Sequence, residues 1–382
     1  MQLLEIIDPK NKETFEYVRN TIRSFGDKEL RPVVEDYEEK KQFPIFLKET
    51  MGEIGVFGAL YPEDLNGSNL GLVSQMIIIE ELGRISAGIS ATVLVQVLSS
   101  FPIFVYGNEK QKQQYLVPAI KGEKMGCIAV TEPDYGSDVA SIKTAAEKTE
   151  NGYLINGSKM FITNAPFSDF FVVAAKTDKT QKHKGISLFV IDKDSPGLNI
   201  GNKLDKLGWH TSETSEVFFN DCFVPEDNVI GELNQGFKYI MKDFNYERLF
   251  LAAQAVGIAT EALNEAIKYS KERRQFDTEI INHQAVAHTL AEMATELEVA
   301  KNFTYSVGYA YENGIEMIKE ISMVKLFVPE VANRITRKAI QIFGGYGYMS
   351  EYNVERYHRD SIILTIGGGT SEIQKNVIAK RL

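Results

Sequence analysis

Chemistry in this chain rests on carboxylates, guanidiniums and hydroxyls set beside glycines, not on thiol or metal-ligand patterns. Thr131-Glu132-Pro133, then Gly136-Ser137-Asp138, close an apolar run in a loop where Gly136 and Ser137 let a ligand approach the backbone. Taken alone, the same pattern is equally a tight turn with Asp138 capping the next segment. Lys271, Arg273 and Arg274 crowd one stretch. Such runs are commonly solvated helix ends. Glu247 beside Arg248 reads, without further context, as an acid in the first turns of a helix, complementing its dipole. Gly344-Gly345 is a natural helix stop. The five histidines (His183, His210, His283, His288, His358) form no H-E-x-x-H spacing, and Cys127 and Cys222 form no C-x-x-C. Metal catalysis and a disulfide framework are therefore not expected, and a reducing compartment fits best.

The elements that must position these residues fall into three blocks. From about residue 11 to 120 the pattern is helical, as in TFEYVRNTIRSF and GLVSQMIIIEELGRI, with breaks expected at Pro44, Pro62, Gly67 and Gly88. Near Gly122 the texture changes to short β-branched and aromatic runs, CIAVT, GYLIN, FFVVAA, ISLFVI and EVFFNDCFV, separated by turn residues including Asn-Gly at 151/152 and 156/157. After Val224-Pro225 helical spacing returns, with Leu290, Met293, Leu297 and Ala300 on one face. The expected class is α+β: a helical domain over 1–122, an antiparallel β domain over 123–228 and a helical bundle over 229–382. With 382 residues and a net charge of −10 the chain can bury a large core and does not suit nucleic acid. Its first residues do not read as a secretory signal. No apolar run is expected to reach the roughly 20 residues that span a bilayer, so a cytoplasmic location is expected.

Four separated motifs then narrow the reading. T-E-P-x-x-G-S-D from Thr131, G-S-K-M-F-I-T-N-A from Gly157, Q-I-F-G-G-Y-G-Y from Gln341 and G-T-S-E-I-Q from Gly369 together resemble, in order and spacing, the acyl-CoA dehydrogenase family. The resemblance covers nearly the whole chain. It implies a three-domain fold, bound FAD, a CoA thioester substrate, a homotetramer and electron-transfer flavoprotein as oxidant. A flavin needs hydrogen-bond donors at its pyrimidine edge and N5, because reduction puts negative charge on the ring. By resemblance, Ile128, Val130 and Thr131 serve the pyrimidine side, Thr163 faces N5, and Gly136, Ser137 and Phe161 lie against the cofactor. Arg273, with Gln275 and Phe276, would reach the FAD of a neighbouring subunit. Gln341, Gly344, Gly345, Thr370 and Glu372 would line the remainder.

The chain departs from the family at the base. Most members carry glutamate in an I-Y-E-G-T sequence near the C-terminus, but this chain reads Ile366-Gly367-Gly368-Gly369-Thr370. Gly368 cannot take a proton, although its backbone N–H can still donate to a thioester carbonyl. A minority branch, including isovaleryl-CoA and long-chain acyl-CoA dehydrogenases, supplies the carboxylate from a third-domain E-R-L sequence, and Asn245-Tyr246-Glu247-Arg248-Leu249 stands at the matching place. The resemblance thus implies Glu247 as base, with Asn245, Arg248 and Ser137 near the substrate and extra room around Gly368 for a branched, cyclic or bulky acyl group. Removing a proton α to a thioester needs such a carboxylate in a drier place than water. Three other readings share these residues: an enoyl- or acryloyl-CoA reductase, an oxygen-using oxidase or monooxygenase, and a silent FAD- or CoA-binding protein. Arg359-Asp360 is expected to form an internal ion pair, and Trp209 to pack on the β domain surface.

Overall fold

Helix-period apolar spacing builds the first and last thirds of the chain and period-two spacing the middle third, and the computed structural model describes residues 8–382. Among them are nine helices of nine or more residues: α1 Lys12–Phe25, α2 Arg31–Lys40, α3 Gly71–Ile85, α4 Ala87–Tyr106, α5 Gly236–Glu272, α6 Gln284–Glu312, α7 Ile318–Phe343, α8 Val354–Ile362 and α9 Ser371–Ala379. The strands are β1 Gly126–Ala129, β2 Ala145–Lys148, β3 Gly152–Thr163, β4 Phe170–Lys176, β5 Ile186–Asp192, β6 Leu198–Lys203, β7 Thr214–Pro225 and β8 Val229–Ile230.

The eight strands form one sheet in the order β6-β7-β3-β2-β4-β5-β8, with β1 also on β4. The sheet is mixed, not purely antiparallel: β1 and β2 both run parallel to β4, sharing its one edge end to end. Strand β4 is buried along FFVVAA, as a run without polar alternation requires. The two Asn-Gly pairs part company. Asn151-Gly152 turns the chain from β2 into β3, whereas Asn156-Gly157 lies inside β3 at a register shift against β7 and is a bulge.

Helix α5 is the spine of the helical layer, about 55 Å long at 1.5 Å per residue, packed against α3, α4, α6 and α7. Its buried face alternates Leu249, Phe250 and Val256 with Ala252, Ala253, Ala255 and Ala259. Small residues let α3 come close: a Cβ at Gly257 would stand 2.1 Å from the Glu80 carbonyl oxygen. Each fully buried Leu or Phe here contributes roughly 1.5–3 kcal/mol.

Two expectations fail in this layer. Gly88 does not break a helix; it is the second residue of α4, and the break is at Ser86, whose hydroxyl caps α4 by accepting from the Ile89 N–H at 3.3 Å. Helix α4 also has 20 residues and contains an 18-residue stretch of mean hydropathy 1.8, long and apolar enough by length and composition to cross a membrane. Here 83% of that stretch is buried against the rest of the protein, packed on α3, α5 and β1.

Candidate active site

Helix α5 sets Asp243, Glu247 and Leu251 one turn apart on a single face. Glu247 is not in the first turns, as the sequence suggests, but in the fourth, half-buried between the buried Asn245 and Arg248. The loop Gly367–Gly369 passes in front of it, with Gly368 at φ +66 and Gly369 at φ +90. A Cβ built on Gly368 would lie 3.4 Å from the Glu247 carboxyl carbon, 3.4 Å from Lys325 Cε and 2.6 Å from Leu251 Cδ1. Leu251, the glutamate carboxyl and Lys325 therefore surround the place that a side chain at 368 would start from. Lys325, buried on α7, donates to the Leu364 carbonyl, and Gln374 donates to the carbonyls of Gly368 (3.2 Å) and Gly369 (2.9 Å), so the loop is tied at both ends.

Electrostatics favour a basic carboxyl. Oε2 of Glu247 is buried and without a hydrogen-bond partner. Burial pushes the carboxyl up from its ordinary 4.5, against the opposing pull of Lys325 and then Arg248. Burial likewise pushes the Lys325 ammonium down to about 8, with Glu247 resisting. Arg248 forms no salt bridge with Glu247; its Nη1 donates to Asn245 Oδ1 at 3.2 Å, and both side chains are buried. A raised acid must lose its proton before it can act as a base, so reaction should fall as pH drops through a value above 4.5. Activity measured against pH should show this acid limb, and its absence would disconnect Glu247 from the reaction.

The strand ends form a second cluster. Thr131 follows β1 and its carbonyl accepts from the Met160 N–H at 2.9 Å. Thr163 ends β3, with its hydroxyl 3.3 Å from that of Thr214. Phe161 between them is 63% exposed, at φ +62. Ile128 is half-buried in β1, Val130 is buried behind it, and Gly136 and Ser137 lie exposed in the loop, with nothing within 4 Å of a Cβ at Gly136. Asp138 makes no side-chain cap; only its carbonyl accepts from Ser141. What holds this loop is a pair that stands inside two of the motifs without having been given a role there. Lys159, fully buried, donates to the Val130 carbonyl and to Glu132, both at 2.9 Å, while Glu132 also accepts from the backbone of Lys143 and Thr144. Burial brings the Lys159 ammonium down to about 8 although Glu132 opposes it. A lysine within an alternating strand is ordinarily a solvated position, so only its inward register could have signalled this role.

The third cluster lies at the end of α5. Arg273 caps it, its guanidinium 5.7 Å from the Tyr346 ring centre. With Gln275, Gly344, Gly345, Tyr269 and Phe343 it lines a pocket of about 430 Å³. Arg274, by contrast, is engaged with Glu279 and the Asp277 carbonyl. Phe276 is 89% exposed. Gly344 does stop α7, at φ +61, its N–H returning to the Gln341 and Ile340 carbonyls. Gln341 lies one turn earlier, exposed, and is not part of the pocket lining. Thr370 instead caps α9 beside the glycine loop, accepting from Ile373 N–H at 3.3 Å, and the exposed Glu372 pairs with Lys375. The structure thus gathers Glu247 with Gly368 and Arg273 with Gln275, Gly344 and Gly345. No hydrogen bond or ion pair among the described residues joins the Arg273 pocket to the strand-end threonines.

Two further expectations are corrected. Arg359 pairs with Glu355 at 2.6 Å and not with Asp360, whose carboxylate accepts from the Trp209 N–H at 2.6 Å. That contact holds Trp209 at φ +54 with its ring packed against the helical core instead of on the β domain surface.

Comparison with known proteins covers all three blocks. Models described as the N-terminal, middle and C-terminal domains of acyl-CoA dehydrogenase match residues 12–123, 127–222 and 234–382. A protein of Acetobacterium woodii named caffeyl-CoA reductase-Etf complex subunit CarC is 41% identical over 96% of this chain and 97% of its own. The solved butyryl-CoA dehydrogenase of Megasphaera elsdenii superposes with a TM-score of 0.94 at 36% identity, covering 96% of this chain and 97% of that one. A structure described as the FAD complex of PigA gives 0.93 at 30% identity, covering 96% and 97%.

Proposed function

The chain belongs to the acyl-CoA dehydrogenase family, and from that premise we propose that it desaturates an acyl-CoA thioester between its α and β carbons with Glu247 as base. The observation that carries this reading is the Glu247 carboxyl, whose Oε2 is buried and without a hydrogen-bond partner and whose carbon lies 3.4 Å from a Cβ built on Gly368. An oxygen with no competing donor is free to take the α-proton. Lys325 and Arg248 limit how far burial raises the carboxyl, so that it can still ionise and act as a base. The backbone N–H of Gly368 costs no side-chain clash and serves as donor to the thioester carbonyl, where charge builds as the proton leaves. Asn245 and Arg248, bonded to each other, are assigned to the CoA portion.

The residues fit FAD. Arg273 has no carboxylate partner among the described residues and faces a pocket floored by glycine backbone, which suits a diphosphate. Thr131 and Thr163 offer hydroxyls at strand ends for the ring. FAD, when bound, supplies the acceptor for the β-hydrogen as hydride. Arg273→Ala should lower FAD affinity by about tenfold or more, from loss of hydrogen bonds to a charged group, read as the ratio of flavin to protein absorbance after gel filtration. Full retention of flavin would remove Arg273 from the cofactor. We assign the subunit to a homotetramer in which this pocket meets a neighbour's cofactor, with electron-transfer flavoprotein as oxidant and the cytoplasm as location; sedimentation tests the first. The partner is supported by the Acetobacterium relative, whose name places it in an Etf complex.

That same name favours a second reading, reduction of a 2-enoyl-CoA by this site. The two are separated by assaying acyl-CoA with an oxidised acceptor against enoyl-CoA with a reduced donor. Turnover in neither assay, from protein that carries FAD, would overturn both.

A further inference from the structure

One turn before Glu247, Asp243 is fully buried and neither of its carboxyl oxygens has a hydrogen-bond partner. It is the deepest unexplained polar group on the face of α5 that carries the base. Asn245, two residues on, points elsewhere, to Arg248. Around Asp243 stand rings from three helices and a loop. Tyr61, Tyr106 and Tyr246 all lie close enough to feel its charge. Phe101 of α4 meets Tyr246 at 4.2 Å between ring centres, Tyr311 of α6 meets Tyr246 edge-on at 5.5 Å, and Tyr106 stacks on Tyr239 at 3.7 Å. The Tyr61 hydroxyl is already spent on the Val97 carbonyl at 3.0 Å. Burial, and then the neighbouring Glu247, raise the Asp243 carboxyl well above the usual carboxylate range. A neutral acid of this kind both donates and accepts.

A buried carboxyl left unpaired is costly, and native structures resolve such groups with a partner. Glu247 marks the α-carbon end of the acyl site, and one helical turn is about 5.4 Å, the reach of four or five bonds of an acyl chain. We propose that Asp243 is a specificity-determining residue whose partner is a hydrogen-bonding group, hydroxyl or amino, on the far end of the acyl chain, with the tyrosine and phenylalanine rings enclosing the methylenes between. The inference rests on the acyl-CoA reading of the Glu247 site and narrows its substrate class. Sites built to bond a polar substrate group discriminate strongly against the analogue lacking it, because their own group is then left unpaired.

The test uses the FAD-loaded enzyme with pentanoyl-CoA and its ω-hydroxy and ω-amino counterparts, comparing anaerobic rates of flavin reduction for wild type, Asp243→Leu and Asp243→Asn. Wild type should prefer at least one polar tail by about tenfold or more, with the hydroxy and amino arms showing which. Asp243→Leu should abolish or reverse that preference, and Asp243→Asn should keep part of it for the hydroxy tail. Equal rates with all three tails in wild type, or an equal loss on all three in Asp243→Leu, would make Asp243 a structural or water-bonded group and overturn the inference alone. No flavin response to any of the three, or to a wider acyl-CoA panel, would overturn the dehydrogenase reading and this inference with it.

Discussion

Glu247→Gln should lower the anaerobic rate of flavin reduction by an acyl-CoA by about 10²–10⁴-fold, the range assigned to a general base, while leaving FAD bound. Glutamine keeps the volume and one acceptor oxygen but has no basic site. The variant should also be no less stable than wild type. A carboxyl whose folded pKa is raised opposes folding once the pH exceeds its unfolded value, so folded stability falls as pH climbs from 4.5 through the raised value. A neutral glutamine removes that penalty at neutral pH. A rate loss accompanied by a lower melting temperature would indicate damage instead of a missing base. The geometry adds a rescue. A Cβ at 368 would stand 3.4 Å from the present carboxyl carbon, so Glu247→Gly with Gly368→Glu should recover part of the rate. Recovery should be incomplete, because Leu251 Cδ1 at 2.6 Å must move and φ +66 strains any residue but glycine.

The second large effect concerns stability. Arg19→Ala should destabilise the protein by about 3–5 kcal/mol, the cost of removing one partner from a buried pair. Arg19 of α1 is 2% exposed and reaches Glu80 of α3 at 3.0 Å as well as Glu81. Glu80 also takes Lys301 at 3.1 Å and the Tyr305 hydroxyl from α6. Arg23 and Arg84 share Glu81, and Arg84 and Arg31 share Glu261 of α5. Without Arg19, Glu80 keeps one ammonium and one hydroxyl in a site sealed from water. Burial alone would push the Glu80 carboxyl up, yet Arg19 and then Lys301 more than offset it and hold it well below the usual range. Its contribution is therefore complete above about pH 4.5 and lost as pH falls through the depressed value. Urea unfolding of wild type and Arg19→Ala at pH 7 measures the effect. An unchanged midpoint would show the network to be dispensable.

Local chemistry made much of this fold legible in the sequence. FFVVAA could only be a strand covered on both faces, and GLVSQMIIIEELGRI became α3 residue for residue. Where the reading failed, tertiary contacts decided. Asn156-Gly157 became a bulge because β3 continues past it along β7. Gly88 sits inside α4, since the Ser86 cap sets the break. Parallel pairing of β1 and β2 with β4 is invisible to any periodicity. At the site, the glycine run at 367–369 and the Glu247-Arg248 pair were both visible, but their juxtaposition joins residues far apart in sequence. Lys325 and Asp243 escaped notice, and Lys159 was given no role within its motif, because a charged side chain on a strand or helix reads as solvated, and only burial shows otherwise.

The most direct measurement mixes FAD-loaded wild type and Glu247→Gln anaerobically with straight, branched, cyclic and aromatic acyl-CoAs and follows flavin absorbance. Bleaching of wild type by at least one class, slowed at least about 10²-fold in Glu247→Gln, is the predicted result. Bleaching at wild-type rate in the variant would contradict the assignment of Glu247 as base, and no bleaching of wild type by any class would contradict the dehydrogenase reading itself.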